Sequence, residues 1–531
     1  MNNFIRSARS FWSAACITLS ILAVLPASAG PSGRSGTAAA PADEIGELLI
    51  VGIHSAVLDQ KTEDHLVKLC PGSILLFKRN LVSNQQTLSL VKRLRELHAK
   101  CSRHPLFLGV DQEGGTVSRL PFDPPLPSAW ALGQTRDPSV VEALGREVGR
   151  SLRRLGFNMN LAPVLDLGNE NKKSFIGSRS FGESPEVVAQ MGTAYSLGLI
   201  KAQVLPVAKH YPGLGSGEND PHLVMVRRSI AQESLEKQDL APFRAYTELF
   251  PTGLMPSHLV YPMATEDNTP GTFSRTLLQS WLRDGMNYQG LVVSDDLQMK
   301  GAGETKTIGE NVISSLNAGV DIAMISWSSR DQWLAAQAIQ NALRSGALSR
   351  ASFEEKVARV RKTKRIISQS EIGTSLRKDD LLIQGSHAYT TLAAQVLEKN
   401  LARLSPLPSR SAPDRVFIWP LDLRTKWQIE RILLKPVYSA DSKEFKQIRK
   451  NDLIIAFARN KRSVRSLLGW RNSLRAQTLV INQVEPGALL KHGRDAGFYH
   501  EWAVFMDHPM LAPEIAKRLH HRWSPALVLN K

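Results

Sequence analysis

The chain has only three cysteines in 531 residues, Cys16, Cys70 and Cys101. That is too few for a disulfide scaffold or a structural zinc site of the usual four-ligand kind, and the 13 histidines do not cluster at ligand spacing, so neither a metal nor a cofactor is expected. No apolar run approaches the length of roughly 20 residues that a membrane-spanning helix needs, which argues against a multi-span membrane protein. Acidic residues are also in deficit, with 49 Asp and Glu against 66 Lys and Arg, a net charge of +17. The isoelectric point of about 9.8 raises nucleic acid as a partner, yet no nucleic-acid-binding motif is present and none is expected. What is there is ordinary for globular proteins: 43% hydrophobic and 22% charged residues exclude a disordered or collagen-like chain.

The first thirty residues carry no acid. Arg6 and Arg9 precede an apolar stretch at 14–25, and Ala27 and Ala29 suit a signal-peptidase site. Residues 1–29 therefore read as a cleaved export signal, with an uncleaved anchor as the alternative, and the product is expected to be periplasmic or secreted. Cys16 lies early in the apolar stretch, which argues against a lipid-modified mature terminus. Cleavage would leave a charge of +15 and two cysteines, Cys70 and Cys101, either joined as a disulfide or buried as thiols. Small and polar residues at 30–43 form a flexible leader.

Short apolar runs then recur at 48–53, 72–77, 106–111, 157–163, 204–210, 253–258, 291–295 and 322–326. The segments between them carry helix signals. Leu88, Val91, Leu94 and Leu97 recur at helical spacing, Asp137-Pro138 and Ser184-Pro185 each place a capping side chain before a first-turn proline, and Ser274 can cap a helix through Trp281. Strands apolar at consecutive positions are buried on both faces, as in a parallel sheet under helices. Eight such units over 44–370 predict an α/β fold, a (β/α)8 TIM-type barrel, with an open doubly wound sheet as the alternative. Helices and a Pro/Ser-rich linker fill 371–413. Four short apolar runs at 416–419, 453–457, 479–482 and 503–506 then predict a smaller α/β sheet domain over 414–531. From 371 onward there are 26 basic and 15 acidic residues, so most of the excess charge lies there, and an anionic envelope polymer is a candidate partner.

A barrel places its chemistry at the carboxyl ends of its strands. Polar residues fall at those ends: Asp111, Asp166, Lys209 with His210, His258, and Asp295 with Asp296. After Lys209-His210 comes a loop built on Pro212, Gly213, Gly215 and Gly217, and then Asp220 and His222, two apart. A carboxylate that accepts from one imidazole nitrogen fixes the tautomer and leaves the other nitrogen for proton transfer. Asp295, directly off a buried strand, suits a nucleophile or electrostatic stabiliser, while Asp296 suits a helix cap or a supporting contact. A carboxylate and a separate proton donor are the minimal apparatus of a retaining glycosidase.

Four segments carry a resemblance to glycoside hydrolase family 3, in its β-N-acetylglucosaminidase branch. They are Gly109 to Arg119, Asn160 to Asp166 with Ile176 to Gly182, Lys209 to His222, and Ser294 to Met299. The resemblance covers 44–370 and implies a (β/α)8-type barrel acting on N-acetylglucosamine-containing glycans of peptidoglycan or chitin type. It implies Asp295 as the nucleophile, His222 as the acid/base oriented by Asp220, and Asp111, Arg119, Arg179, Lys209 and His210 as ligands of the terminal sugar. For Arg179 the alternative is a structural ion pair, and for Arg119 a surface charge. Three positions depart from the family pattern: Leu214 stands where a histidine near the sugar is usual, Pro221 where a serine is, and Thr116 where an arginine is. The leading expectation is an active β-N-acetylhexosaminidase. A β-glucosidase, a glycoside phosphorylase and a carbohydrate-binding homologue without turnover are the alternatives.

Overall fold

The computed structural model describes residues 40–169, 176–215, 225–265, 268–303, 306–368 and 386–402, the strands of a second sheet between 416 and 503, and the isolated positions 511 and 515. The export signal, the linker at 405–413, and Asp220, Pro221 and His222 lie outside the described residues.

Ten strands are assigned before residue 326. They are β1 (Leu49–Gly52), β2 (Ser73–Leu76), β3 (Phe107–Val110), β4 (Gln112–Gly114), β5 (Val117–Ser118), β6 (Met159–Asn160), β7 (Leu205–Tyr211), β8 (Gly253–Pro256), β9 (Leu291–Asp296) and β10 (Ile322–Ile325). Eight of them close a barrel in the order β1-β10-β9-β8-β7-β6-β3-β2. The assigned pairings around it are parallel, and β1 closes on β10 through Leu49 against Ala323. Each barrel strand falls inside or within a residue of an expected run, so the open-sheet alternative is set aside. The remaining two strands, β4 and β5, form an antiparallel hairpin directly after β3.

Strand and helix signals act locally as expected. Ser83, Asp137, Ser184 and Thr307 accept backbone N–H groups at the starts of the helices Asn84–His98, Pro138–Arg154, Pro185–Lys201 and Ile308–Ala318. Ser274 Oγ accepts from the Leu277 N–H before the helix Thr276–Gly285, which is wound as a π-helix. In Asn84–His98 the buried stripe runs through Leu90, Val91, Leu94 and Leu97 while Leu88 is half-buried, because a period of 3.6 alternates steps of three and four. Strand β6 is shorter than its run, which ends at Pro163, a residue with no N–H to give to the ladder. The chain nevertheless continues beside β7, with the Lys209 N–H on Pro163 O at 3.0 Å and the Leu165 N–H on Lys209 O at 2.7 Å.

Inward side chains such as Ile50, Phe107, Met159, Val207, Val293 and Met324 fill the barrel as a packed core. The start and end of the barrel are tied together: the fully buried Lys364 ammonium pairs with Glu47, and Arg361 reaches Asp43 at 3.1 Å. The following helix, His387–Ala402, docks through Tyr389, whose hydroxyl donates to Pro124 O at 2.8 Å.

The second sheet is parallel, with five strands: β11 (Val416–Trp419), β12 (Val437–Ser439), β13 (Leu453–Ala458), β14 (Gln477–Asn482) and β15 (His500–Ala503), in the order β12-β11-β13-β14-β15. Two details correct the sequence reading. Strand β12, three residues at an edge, gives too short an apolar signal to be seen. Strand β15 precedes the expected run at 503–506, because pairing of Leu479 with His500 sets its register rather than hydrophobicity.

Cys70 and Cys101 form a disulfide closing a loop of 31 residues. A Cys70→Ser/Cys101→Ser variant should therefore be less stable by about 2–4 kcal/mol in denaturant unfolding, because the uncrosslinked denatured chain gains conformational freedom. Wild-type protein under reducing conditions should show the same loss. Coincident unfolding midpoints for oxidised and reduced protein would show that the bridge carries no stability.

Candidate active site

At the carboxyl ends of the barrel strands a cavity of roughly 730 Å³ is lined by charged residues from several strands, a size typical of small-molecule sites. Asp111, Arg119, Arg179, Lys209, His210 and Asp295 all line it. Six of the eight expected site residues thus converge on one cavity, and the other two, Asp220 and His222, lie outside the described residues.

A buried charge cluster organises its floor. Lys209 Nζ bridges Asp111 Oδ1 and Glu113 Oε1, each at 2.8 Å. Arg179 meets the same Glu113 through Nε at 2.7 Å and Nη2 at 3.0 Å, a two-pronged pair. Burial alone would raise the Glu113 carboxyl, but Arg179 and Lys209 outweigh it and hold the group well below the carboxylate range. Burial likewise works against the Lys209 ammonium, yet Asp111 and Glu113 keep it above its ordinary value. Glu113, Lys209 and Arg179 are thus held in charged form. Arg119 completes the wall, with Nη2 3.8 Å from Asp111 Oδ2.

Glu113 escaped the sequence reading. The signal was present: Asp111 and Glu113 are two apart along an extended segment, so their side chains share a face, while Gln112 points away. Gln112 instead holds the hairpin, its Oε1 accepting from the N–H groups of Arg119 and Leu120 at 3.0 Å each. The ion-pair role weighed for Arg179 is the one its contact with Glu113 displays, and Arg179 lines the cavity as well.

His210 is oriented by Asp166, which is fully buried. Asp166 Oδ2 lies 2.6 Å from His210 Nδ1, and Oδ1 accepts the Leu214 N–H at 2.7 Å. A carboxylate only accepts, so Nδ1 carries a hydrogen and Nε2 is the nitrogen left for another partner. Leu214, expected near the sugar, is buried and anchored by this backbone bond and is not among the residues lining the cavity. Thr116 does line it, from the exposed tip of the β4–β5 hairpin.

Asp295 and Asp296 end β9. Asp295 is half-buried, and its Oδ1 accepts the Asp296 N–H at 2.8 Å. Asp296 also lines the cavity but is buried, and its carboxylate bonds the Ser326 hydroxyl and accepts the Gln298 N–H at 3.0 Å. Burial pushes the Asp296 carboxyl up to about 6. It therefore supports its neighbour by packing and hydrogen bonding. His258 bonds Thr272 Oγ1 at 2.8 Å through Nδ1 and the Asp296 carbonyl at 3.1 Å through Nε2, so it braces the end of β9.

Comparison with known proteins bears on what this cavity does. The model of the glycosyl hydrolase family 3 N-terminal domain matches residues 42–363. The chain is 35% identical over 276 residues to a β-hexosaminidase of Neisseria gonorrhoeae, spanning 50% of this chain and 74% of that protein. It is 35% identical over 332 residues to the β-hexosaminidase LpqI of Mycobacterium tuberculosis, spanning 60% of this chain and 81% of the relative. A solved structure of M. tuberculosis LpqI superposes with a TM-score of 0.56 at 33% identity, over 61% of this chain and 94% of the other. A family 3 β-N-acetylglucosaminidase from Paenibacillus sp. str. FPU-7 superposes with a TM-score of 0.77 over 91% of this chain and 97% of that one. At 22% identity it speaks to the fold alone.

Proposed function

Because this chain belongs to glycosyl hydrolase family 3, we propose that it is an exported, retaining exo-β-N-acetylhexosaminidase. It would remove terminal β-linked N-acetylglucosamine from peptidoglycan or chitin-type oligosaccharides. The observation that carries this reading is Asp295, a carboxylate at the end of a buried strand, in the same cavity as the Asp111, Lys209, Arg179 and His210 cluster. The β-hexosaminidases similar to it support the choice of sugar.

In this mechanism the Asp295 carboxylate attacks the anomeric carbon while the bond from that carbon to the leaving oxygen breaks. His222, oriented by Asp220, gives its proton to that oxygen, so the aglycone leaves as a neutral alcohol. Water then attacks the same carbon, His222 takes its proton, and the Asp295–carbon bond breaks with net retention. Asp111 accepts from sugar hydroxyls, the Lys209 and Arg119 N–H groups donate, and His210 Nε2 accepts a further hydroxyl. A pre-paired charge cluster suits this work because its dipoles are already aimed and need no reorganisation when a neutral sugar arrives.

The test is release of a chromogenic aglycone from a β-N-acetylglucosaminide by the full chain, with the first-formed anomer read by NMR. Intact sugar binding without release would replace the enzyme by a binding protein, and an inverted first product would remove the covalent intermediate. The basic segment after residue 370 is proposed to hold the enzyme to an anionic envelope polymer. Retention of the full chain on such a polymer should fall steeply with salt, whereas salt-independent retention would count against it.

A further inference from the structure

We infer that Trp327, with Arg79 and Phe77, forms a subsite that stacks the leaving-group sugar of a β-linked oligosaccharide. This rests on the hexosaminidase reading above and names the part of the site that selects the aglycone.

Trp327 stands two residues beyond the end of β10, next to Ser326, whose hydroxyl bonds the Asp296 carboxylate. Since β10 is the neighbour of β9, the indole arises beside the strand that carries Asp295. The charge cluster arises elsewhere around the ring, on β7 and at the end of β3. Phe77 follows β2, on the other side of β1 from β10. Trp327, Phe77 and Arg79 line the same cavity as Asp295. The rim is thus polar where the terminal sugar would sit and aromatic along the β10-β1-β2 arc, with the candidate nucleophile next to the aromatic arc.

Trp327 is 54% exposed, which by itself is common for a single apolar side chain. What distinguishes it is how firmly it is held. Its ring stacks on Phe77 with centroids 5.8 Å apart and planes 30° apart. The Arg79 guanidinium carbon lies 4.2 Å from the Trp327 ring and 4.4 Å from the Phe77 ring. Arg79 is itself fixed, its Nε donating to Ile53 O at 3.0 Å and its Nη2 to Ser326 O at 3.2 Å. The backbone N–H of Trp327 donates to Gln298 Oε1 at 2.8 Å, which fixes the main chain that carries the indole, and Gln298 Nε2 donates to Asp331 Oδ2 at 2.7 Å. An indole packed against Arg79 and Phe77 and still 54% exposed costs little entropy when a ligand covers it.

A β-linked pyranose has the complementary surface. Its equatorial substituents leave a face of C–H bonds that is apolar and polarised positively, suited to the electron-rich face of an indole, while its hydroxyls point outward to donors. Among the described residues Arg79 has no ion-pair partner within 4.0 Å, and the two hydrogen bonds above use only its Nε and Nη2, so a hydroxyl at the rim has a donor within reach.

The experiment compares kcat/KM for N,N′-diacetylchitobiose, whose leaving group is a sugar ring, with that for methyl β-N-acetylglucosaminide, whose leaving group has no ring. Trp327→Ala should lower the disaccharide-to-methyl ratio by about tenfold, chiefly through KM for the disaccharide, and Trp327→Phe should retain most of it. An unchanged ratio, with both substrates falling together or neither falling, would overturn the subsite. A wild type that cleaves neither substrate would instead overturn the hexosaminidase reading. Titration with N,N′-diacetylchitobiose then decides the platform separately: weaker binding to Trp327→Ala keeps it, and equal binding removes it.

Discussion

Asp295→Asn is expected to lower kcat on a chromogenic β-N-acetylglucosaminide by about three orders of magnitude or more while leaving the fold intact. The substitution is nearly isosteric. The amide oxygen can still accept the Asp296 N–H that Asp295 Oδ1 now accepts at 2.8 Å, so the end of β9 keeps its local bond. What is lost is the negative charge that must form a bond to the anomeric carbon, and no neighbour can replace it. Asp296 lines the cavity too, but its carboxylate is engaged by the Ser326 hydroxyl and the Gln298 N–H. His222→Ala should show a comparable loss on substrates with poor leaving groups, and a smaller one on an aryl glycoside whose aglycone leaves without protonation. That contrast separates the acid from the nucleophile. Asp295→Asn activity within tenfold of wild type would remove Asp295 from the chemistry.

Glu113→Gln should have the largest combined effect on stability and activity. Glu113 is the shared anion of Arg179 and Lys209, both nearly buried, and its loss removes the two-pronged partner of Arg179 and one of the two carboxylates on Lys209. Removing one partner of a buried pair typically costs about 3–5 kcal/mol, because the remaining charge is neither solvated nor paired. Denaturant unfolding at neutral pH reads this directly. The sign with pH follows from the depressed Glu113 carboxyl. Its contribution is complete above the ordinary carboxylate value of 4.5 and is lost as pH falls below it toward the folded-state value. Wild type should therefore lose stability in that acidic range, and the difference between wild type and Glu113→Gln should shrink there. A variant as stable as wild type at pH 7 would show that the cluster is not a structural keystone. Activity should fall as well, since Lys209 and Asp111 take their positions from the same contacts.

The contrast between these two residues shows what was legible in the chain. Asp295 was visible because it interrupts an apolar run at its carboxyl end, where a barrel presents its chemistry. Glu113 lies inside the segment Gly109 to Arg119 but was not singled out there, because its importance comes from Arg179, 66 residues away. Asp166 was noticed as a strand-end acid, but its partnership with His210 depends on how the chain beyond β6 runs beside β7. Trp327, just beyond the eighth run, was not singled out, because its stacking on Phe77 joins segments 250 residues apart. The departure at Leu214 was read as the loss of a polar group at the sugar, whereas its side chain is buried away from the cavity lining and its N–H secures Asp166.

The pairing of β1 with β10 decided that the strands close into a barrel, whereas composition and spacing alone determined the α/β class, eight strand–helix units, the helix caps and the strand ends that bear the site. Those follow from local rules: consecutive apolar residues make strands buried on both faces, and capping side chains start helices wherever they occur. Tertiary structure alone decided which charges neutralise one another, that Cys70 bonds Cys101, that Arg179 answers Glu113, and that an aromatic shelf stands next to the strand of the candidate nucleophile. Pairings of this kind depend on distance through space, and closing the barrel brings residues of distant segments into contact that no local spacing records.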